Sequence, residues 1–540
     1  MKRNYRKRIR KSGRIINYVF RLLLIIVVIT GCVPDRKKTA IHPTSITVNG
    51  DRFIDNLGRH VILNGLNVVS KKKEEQYIFQ SGPEFYTNLK SWGVNCIRFI
   101  IIWDGLEPEP GVYDEEYLKE IDKRIQWAGD NGLFVILDMH QDLFSVKYSD
   151  GAPEWATLDE GKQHVTGSVW SDAYLLSSAV QTSFDNFWAN KPAPDGIGVQ
   201  DHYASLWKYV AERYANNPTV IGYDIMNEPF PGSPALQSIS ALLKAYGELV
   251  YSLTGNVMTK EELINAFGNP ETKAYALDLL STEENFSYVV DALFEFNHTF
   301  ESTTLMQMYQ KVSNAIRKVD NNSILFIEHG YFSNIGVRSS IERPKLANGN
   351  PDPLVAFAPH GFDLVTDTKD VASAQSERVA LIYGRAKEKG SELNMPVWLG
   401  EWGAYYNHSD GIVPVARYSV SLIEEHLFGQ TYWSYFPGTE NLEYFQKALL
   451  RPYPSNTNGE LLNYHYDHDT LKLLVEWKES KEIDSPTLIY VPWMSRLNKE
   501  KLRKSIMATF EQIENSDAGW VIIPKNGENS LRKVAIQFKE

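Results

Sequence analysis

The fold is decided by two apolar runs, NCIRFIIIW at residues 95–103 and LFVILDMH at residues 133–140, and by six further runs like them. Each run is short, rich in β-branched residues and separated from the next by an amphipathic stretch. A run that is apolar on both faces is typical of a parallel strand covered by helices. The eight runs are Val61–Asn67, Asn95–Trp103, Leu133–His140, Val220–Asn227, Ser323–His329, Leu354–His360, Pro396–Glu401 and Gln430–Phe436.

Helical spacing is clearest in three segments between these runs, Tyr117–Asp130, Tyr203–Asn216 and Leu305–Val319. Eight strand–helix units predict an α/β protein whose residues 46–440 form a (β/α)8 TIM barrel. The alternative is a doubly wound open sheet, but that fold usually carries a glycine-rich phosphate turn after an early strand. The sequence has no such turn, so the barrel is favoured.

Two gaps between the predicted strands are too long for simple loops. Residues 144–200 are rich in Gly, Pro and Asp and are predicted to form an aromatic loop region at the active face. Their large aromatic side chains are Trp155, Trp170, Phe184, Phe187 and Trp188. Residues 232–304 show helical spacing in Ala235–Leu253 and Tyr288–Phe296 and are predicted to be an inserted helical subdomain. Both self-packing and substrate contact remain open for these insertions.

After Phe436 the pattern changes to short alternating strands separated by turns. Residues 441–540 are therefore predicted to form an antiparallel β-sandwich domain. The predicted strands are Glu460–Tyr466, Thr470–Glu476, Pro486–Val491, Ser505–Glu511, Gly519–Ile523 and Val534–Phe538.

The composition of the 540 residues excludes several classes of function. The chain is 43% hydrophobic with a formal charge of −11, although residues 1–31 contain nine basic residues and no acidic one. Nucleic acid is therefore not an expected partner of the acidic remainder. The two cysteines, Cys32 and Cys96, form no disulfide framework or metal-binding motif, and no metal or cofactor is expected.

The N-terminus has the features of a secretion signal over residues 1–31. Basic residues precede the short apolar run Leu22–Ile29, which is well below the about 20 residues of a membrane-spanning helix. The segment Ile29-Thr30-Gly31-Cys32 resembles a bacterial lipoprotein box, which implies lipidation of Cys32, a tether over residues 32–45 and a lipid-anchored location in the bacterial cell envelope, periplasmic or surface-exposed. The alternative is an ordinary signal sequence with an incidental cysteine.

Polar residues that end the apolar runs are the candidate site residues, because the active site of a TIM barrel lies at the carboxyl ends of its strands. They are Arg98, His140, Asp142, Asn227, Glu228, His360, Glu401 and Trp433. Glu228 and Glu401 end the fourth and seventh runs and can face each other across the barrel mouth. Such a carboxylate pair is what glycoside hydrolysis requires, since one protonates the leaving oxygen while the other attacks the anomeric carbon. Arg98 is a candidate for keeping the attacking carboxylate ionised.

Four motifs together resemble glycoside hydrolase family 5, and more narrowly its endoglycoceramidase and glycosylceramidase branch. They are FIDNLGRHVILNGLN at residues 53–67, DMHQD at 138–142, DIMNEP at 224–229 and WLGEWG at 398–403. The segment Arg451-Pro-Tyr-Pro454, followed by β-strands, is similar to the C-terminal module of that branch. The resemblance thus covers roughly residues 45–540.

The resemblance implies a role for each candidate residue. Glu228 would be the acid/base and Glu401 the nucleophile of a retaining β-glycosidase without a cofactor. Asn227 would bind the sugar 2-hydroxyl, and His140, Asp142 and Trp433 would hold the sugar beside the cleaved bond. Arg98 and His360 would orient and stabilise Glu401.

One position departs from the pattern of the family. A tyrosine commonly lies two residues after the sixth-strand histidine and donates a hydrogen bond to the nucleophile, but residue 362 is phenylalanine. Tyr331 and Tyr405, in neighbouring loops, are the candidate replacements, and an altered pKa of Glu401 is the third alternative.

The resemblance implies a glycosphingolipid substrate, cleaved between its sugar head group and ceramide. Endo cleavage of an oligosaccharide and exo cleavage of glucosylceramide are both open. A family 5 glucanase or mannanase would use the same two glutamates on a polysaccharide. The alternative outside the enzymes is a surface lipoprotein that binds glycolipid without turnover.

Overall fold

The computed structural model describes residues 41–167, 169–266, 270–405 and 410–539. The predicted signal sequence, Cys32 and most of the predicted tether lie outside these residues. Within the described part of the chain, no helix combines the length and the apolar character that crossing a bilayer requires.

The described chain begins with three short strands outside the barrel, β1 (Ile46–Asn49), β2 (Arg52–Asp55) and β3 (His60–Val61). Nine strand segments follow and form one parallel sheet, which runs in the order β10-β11-β12-β4-β5-β6-β7-β8-β9. Their bounds are β4 (Asn64–Val68), β5 (Cys96–Ile102), β6 (Phe134–His140), β7 (Val220–Asp224), β8 (Ile324–Ile327), β9 (Val355–Phe357), β10 (His360–Gly361), β11 (Trp398–Gly403) and β12 (Gly429–Tyr435).

The sixth strand closes this sheet into a barrel. It is interrupted at Pro359, which has no N–H to donate to a ladder, and so it appears as the two segments β9 and β10. β9 pairs with β8, β10 pairs with β11, and a bridge joins Phe357 to Val397. Eight parallel strands therefore close on themselves, which confirms the predicted (β/α)8 barrel.

All eight predicted runs contain a barrel strand, with one difference at the first. The run Val61–Asn67 is divided, because β3 leaves the barrel and pairs antiparallel with a C-terminal strand while β4 enters the barrel. Every residue of β5 and β6 is buried, as expected for strands covered on both faces.

The three predicted helices are present, and Asp114 caps the first of them by accepting hydrogen bonds from the N–H groups of Glu116 and Tyr117. The α-helices are α1 (Pro83–Ser91), α2 (Trp103–Leu106), α3 (Glu115–Asp130), α4 (Ala173–Leu176), α5 (Ser178–Trp188), α6 (Val199–Tyr214), α7 (Leu236–Thr254), α8 (Lys260–Asn265), α9 (Pro270–Leu279), α10 (Glu283–Asp291), α11 (Phe294–Thr299), α12 (Met306–Ile316), α13 (Ser376–Leu393), α14 (Val413–His426) and α15 (Lys499–Ile506).

The two insertions differ in how they match the expectation. Residues 232–304 contain α7 to α11 and are helical, as predicted. Residues 144–200 were expected to be a loop region, but they contain α4 and α5, and Phe184 and Phe187 of α5 are fully buried. Phe184 and Phe187 contact Phe144 within the insertion, and they also pack it against Phe230, Trp103 and Tyr203, whereas the side chain of Trp170 is 45% exposed.

The C-terminal region forms two antiparallel sheets, with orders β1-β2-β3-β13-β16-β18-β17 and β14-β15-β19. The prediction assigned residues 46–61 to the barrel, but β1 to β3 join the larger C-terminal sheet. The predicted strand Ser505–Glu511 is also shorter, because α15 extends to Ile506 and the strand begins only at Thr509. The remaining strands are β13 (Tyr453–Thr457), β14 (Glu460–Asp467), β15 (Lys472–Lys478), β16 (Thr487–Val491), β17 (Thr509–Gln512), β18 (Gly519–Ile523) and β19 (Leu531–Gln537).

A buried ion pair fastens the N-terminal strands to the C-terminal sheet. Arg59 donates from Nε to Asp55 Oδ2 over 2.8 Å, and neither side chain is exposed. Asp55 also accepts a hydrogen bond of 3.0 Å from Asn456 of β13. Arg59 donates to the carbonyl of Pro486 next to β16. This pair therefore links β2 and β3 to the strands of the C-terminal sheet.

Asp55→Ala is expected to lower the free energy of unfolding by about 3–5 kcal/mol, because it leaves the Arg59 guanidinium buried without its counter-ion. Denaturant unfolding followed by tryptophan fluorescence measures this loss. Asp484→Ala is the matched control, since the Asp484 side chain is 85% exposed in its pair with Lys525. Small and equal losses in the free energy of unfolding for the two substitutions would contradict the stabilising role of the Asp55–Arg59 pair.

Candidate active site

The structure brings all eight predicted site residues together at the carboxyl ends of the barrel strands. Arg98 lies within β5, His140 ends β6, His360 begins β10, and Glu401 and Trp433 lie in β11 and β12. Seven of the eight are buried, and Trp433 is half-buried. A cluster of charged groups excluded from water therefore occupies the barrel mouth.

Arg98 lies at the centre of this cluster and is fully buried. Its Nη1 donates to Glu401 Oε1 over 2.5 Å, which is the contact that the sequence predicted. The guanidinium also contacts five further side chains, at 2.8 to 3.2 Å: Asn67, Asp138, Asp224, Asn227 and Glu328. Burial disfavours the charged form, but the surrounding carboxylates outweigh it and raise the pKa of Arg98 well above its usual value.

The carboxyl groups around Arg98 are harder to ionise than free ones. Burial is the main cause, and it raises the pKa of Asp138 well above its usual value and that of Glu328 to about 8. Burial also raises the pKa of Glu401, against the opposing effect of His360 and Arg98. Arg98 thus limits the upward shift that burial alone would impose on the predicted nucleophile.

Glu228 and Glu401 face each other as predicted, and one carboxylate oxygen of each lies within 4.8 Å of the other. Glu228 has a φ of +42°, a left-handed conformation that is strained for a residue with a side chain. Its N–H donates to Glu328 Oε2 over 2.8 Å, and its carbonyl accepts from Gln141 Nε2 over 3.1 Å. These two bonds hold the strained backbone in place.

His360 contacts both glutamates, but its closer partner is not the predicted one. Its Nδ1 lies 3.0 Å from Glu228 Oε1 and 3.7 Å from Glu401 Oε2, while its Nε2 lies 3.1 Å from Glu328 Oε1. Burial opposes the charged imidazolium, yet the charges of Glu328 and Glu401 raise the pKa of His360 well above its usual value. His360 therefore supplies positive charge between the two glutamates.

His140, Asp142 and Trp433 lie together on one side of the mouth. The imidazole of His140 stacks on the Trp433 ring at 5.3 Å with an interplanar angle of 11°. Its Nδ1 lies 2.8 Å from Asp138 Oδ2, and burial lowers the pKa of His140 well below its usual value. A neutral ring that donates from Nδ1 to Asp138 presents Nε2 as an acceptor, and this buried atom lies 3.8 Å from Asp142 Oδ2 and accepts no hydrogen bond from the described residues.

Lys71 was missed by the sequence analysis. Its ammonium pairs with Asp142, lies 3.8 Å from Asp150 Oδ2 and sits 4.7 Å from the centre of the Trp433 ring. Burial opposes ionisation of Asp142, but Lys71 outweighs it and lowers the pKa of this aspartate to about 2. Lys71 follows the first run in a polar segment, where nothing in the pattern distinguishes it from its neighbours.

Glu328 and Asn334 were also missed, for different reasons. Glu328 ends the fifth apolar run and satisfies the same rule that identified Glu228 and Glu401, so the sequence contained a usable signal. Asn334 lies in a short helical turn, Tyr331–Ile335, and donates from Nδ2 to Glu228 Oε1 over 2.6 Å. No pattern in the sequence marks that position.

Neither proposed replacement for the missing tyrosine bonds to Glu401 within the described hydrogen bonds. Tyr405 packs against Tyr432 and Tyr444, and its hydroxyl is buried among them. Tyr331 packs against Tyr174 and Phe230. The third possibility, an altered pKa of Glu401, agrees with the upward shift that burial causes.

Three groups in the site place possible metal ligands within 4.8 Å of one another. In each group at least one carboxylate is already paired with a cationic side chain, Lys71 or Arg98. The groups are His140, Asp142 and Asp150; Asp224, Glu328 and His360; and Glu228, His360 and Glu401. Part of the negative charge of each group is thus already balanced by Lys71 or Arg98.

The chain is similar to known glycoside hydrolases. The family description "Cellulase (glycosyl hydrolase family 5)" matches residues 55–438, and "Glycoside hydrolase family 5 C-terminal domain" matches residues 451–528. An endoglycoceramidase from Cyanea nozakii is 30% identical over 247 residues, which are 40% of this chain and 47% of that protein. The match therefore spans about half the length of that relative.

Endoglycoceramidase I from Rhodococcus hoagii (strain 103S) is 23% identical over 440 residues, which are 79% of this chain and 75% of that protein. Among solved structures, endo-glycoceramidase II from Rhodococcus sp. in its five-membered iminocyclitol complex has a TM-score of 0.67 at 24% identity, covering 90% of this chain and 99% of that one. Its ganglioside GM3 complex has a TM-score of 0.67 at 22% identity, covering 91% and 100%. At such identities the structural likeness supports the fold.

The raised pKa of Glu328 predicts how stability depends on pH. With its pKa raised to about 8 by burial, Glu328 is expected to keep its proton in the folded protein at pH values where the unfolded chain, with an ordinary pKa of about 4.3, has released it. This group therefore makes stability fall as pH rises between the two values, by up to about 1.4 kcal/mol per pH unit.

Glu328→Gln removes this proton exchange, so its free energy of unfolding is expected to fall less steeply than that of the wild type between about pH 5 and 8. Denaturant titrations at several pH values measure the slope. Glu388→Gln, at a glutamate that is 64% exposed, is the matched control and keeps the wild-type slope. A wild-type slope for Glu328→Gln would contradict the assignment.

Proposed function

Because the chain belongs to glycoside hydrolase family 5, we propose that it is a retaining β-glycosidase that cleaves glycosphingolipids between the sugar head group and ceramide. The observation that carries this proposal is the pair Glu228 and Glu401, with oxygens within 4.8 Å. Retaining enzymes place their carboxyl groups about 5–5.5 Å apart, whereas inverting enzymes leave room for a water between them.

The chemistry follows from the contacts of the two glutamates. Glu401 attacks the anomeric carbon, and the bond from that carbon to the leaving oxygen breaks as Glu228 protonates the oxygen. Arg98 and His360 hold positive charge beside Glu401, which favours its ionised, nucleophilic form. In the second step Glu228 takes a proton from water, whose oxygen displaces Glu401 from the sugar.

The sugar side of the site is polar. Lys71 and Asp142 offer a charged donor and acceptor for hydroxyl groups, Trp433 offers a half-exposed ring face for stacking, and His140 offers Nε2. Asn227 uses one amide hydrogen on the Gln141 carbonyl, which leaves its second hydrogen available for the 2-hydroxyl of the sugar.

Aromatic side chains also pack in the neighbourhood of Glu228. Phe230 follows Glu228 by two residues and packs against Tyr331 and Tyr174, with ring centres 5.6 and 4.8 Å away. Trp170, which is 45% exposed, extends this aromatic wall at 6.2 Å from Tyr174. Phe230 and Tyr174 are fully buried, so the accessible part of this wall is the half-buried Tyr331 together with Trp170, whose ring faces suit an apolar leaving group. The endoglycoceramidase relatives support the same assignment.

Incubation with a fluorescent ganglioside and with fluorescent glucosylceramide, followed by chromatography, tests the substrate. Ceramide and an intact oligosaccharide from the ganglioside are expected from endo action. Ceramide and glucose from glucosylceramide alone would identify the exo alternative. Turnover of neither substrate would contradict the proposal and favour a polysaccharide or the binding-protein alternative.

Glu401→Gln is expected to abolish this turnover, and Glu228→Gln to lower it by about 10²–10⁴-fold through loss of acid catalysis. Glu401→Gln should retain its affinity for glycolipid whether the protein is an enzyme or a binding protein. The loss of turnover is therefore what separates the two. Glu388→Gln, at an exposed site, is the control and retains wild-type turnover. Full turnover by Glu401→Gln would refute the assigned nucleophile.

We further propose that lipidation of Cys32 anchors the protein in the bacterial cell envelope, which would bring the barrel to its membrane-borne substrate. This rests on the lipoprotein-like segment before Cys32. In detergent phase separation of the full chain expressed in bacteria, the wild type should enter the detergent phase and Cys32→Ala the aqueous phase. Cys96→Ala, at a buried cysteine in β5, is the matched control. Identical partitioning of the wild type and Cys32→Ala would contradict the anchor.

A further inference from the structure

The hydrogen bonds to the Glu228 carboxyl are distributed unequally between its two oxygens. Asn334 Nδ2 donates to Oε1 over 2.6 Å, and His360 Nδ1 lies 3.0 Å from the same atom. Among the described residues, the hydrogen bonds to this carboxyl all end on Oε1. The other oxygen, Oε2, is therefore the one left for a substrate.

Asn334 is held tightly in the position from which it donates. Its side chain is buried, and its own carbonyl accepts a hydrogen bond of 3.1 Å from the N–H of Phe362, directly after β10. Its amide oxygen Oδ1 is buried and has no hydrogen-bond partner in the part of the chain that the structure describes. A buried amide with an unpaired oxygen is poorly suited to a purely structural role, so the donated N–H is the feature that explains this residue.

The loop that carries Asn334 is held in place by a buried carboxylate, that of Glu301. Glu301 accepts a hydrogen bond of 2.7 Å from Gly330 N and one of 3.0 Å from Ser339 Oγ, and it also accepts from Ser340 N. Asn297 donates to Ser333 Oγ over 2.9 Å. Glu301 and Asn297 belong to the end of the helical insertion, so this insertion sets the position of the Asn334 loop.

We propose that Asn334 is a positioning residue for acid catalysis, which occupies Oε1 of Glu228 so that Oε2 carries the transferable proton and faces the leaving oxygen. This inference rests on the proposed function. In the first step the Oε2 proton moves to the leaving oxygen as its bond to the anomeric carbon breaks and the bond from Glu401 forms. The negative charge left on Glu228 is stabilised at Oε1 by Asn334 and His360. In the second step Oε2 takes the proton of the attacking water.

The dependence on leaving group tests this role, because a good leaving group needs no proton. The probes are 2,4-dinitrophenyl and phenyl β-lactosides and β-glucosides, compared by kcat/KM, which reports the first chemical step for these substrates. The variants are Asn334→Leu, which fills a similar volume without a donor, and Asn334→Ala. Asn350→Ala, at an exposed asparagine between β8 and β9, is the matched control.

Both Asn334 variants are expected to lose about 10- to 100-fold in kcat/KM on the phenyl glycosides. A loss of this size corresponds to the free energy of one hydrogen bond to a charged group. On the dinitrophenyl glycosides they should stay within about threefold of the wild type, since acid assistance is not needed there. Asn350→Ala should match the wild type on both substrates.

Equal losses on both leaving groups, or wild-type activity on the phenyl glycosides, would overturn the role of Asn334 while leaving the proposed function intact. A wild type that hydrolyses none of these glycosides and no glycosphingolipid would overturn the proposed function and, with it, this inference. Thermal unfolding of each variant separates misfolding from a loss of positioning, because an unfolded variant loses both substrates equally.

Discussion

The site depends on one buried guanidinium. Arg98 carries the positive charge against which Asp138, Asp224, Glu328 and Glu401 are packed at the mouth of the barrel. Several buried carboxylates without a counter-ion would repel one another and take up protons. Because Arg98 reaches the carboxylates from four different strands or strand ends, its guanidinium also fixes where those strands place their polar ends.

The same arrangement explains how two glutamates of one site can take different roles. Glu401 is bonded to Arg98, whereas Glu228 is bonded to His360 and Asn334 and has its backbone held by Glu328. The two carboxylates share His360 but differ in their other partners, although an oxygen of one lies within 4.8 Å of an oxygen of the other. The proposed division between nucleophile and acid is consistent with these different hydrogen bonds.

Much of the fold could be predicted because its signals are local. Eight runs that are apolar on both faces specify buried parallel strands, and the polar residues that end them, such as Glu228 and Glu401, necessarily converge when the barrel closes. Contacts between distant segments were not predictable in this way. β1 to β3 would have the same local pattern if they bordered the barrel. Their place in the C-terminal sheet is seen from the long-range pairing of Val61 with Asn456. Lys71 and Asn334 lie in loops, where periodicity carries no information. The closer partner of His360 is decided by the difference between two distances, 3.0 Å to Glu228 and 3.7 Å to Glu401.

The central claim is that Glu401 and Glu228 act as nucleophile and acid/base at retaining distance, with their charges set by Arg98 and His360. The anomeric configuration of the sugar at the moment of its release tests this claim most directly. Proton NMR of the first product formed from a β-glycoside substrate should show the β-anomer, which converts to the α-anomer only later by mutarotation. Initial release of the α-anomer would mean direct displacement by water and would contradict the covalent role of Glu401.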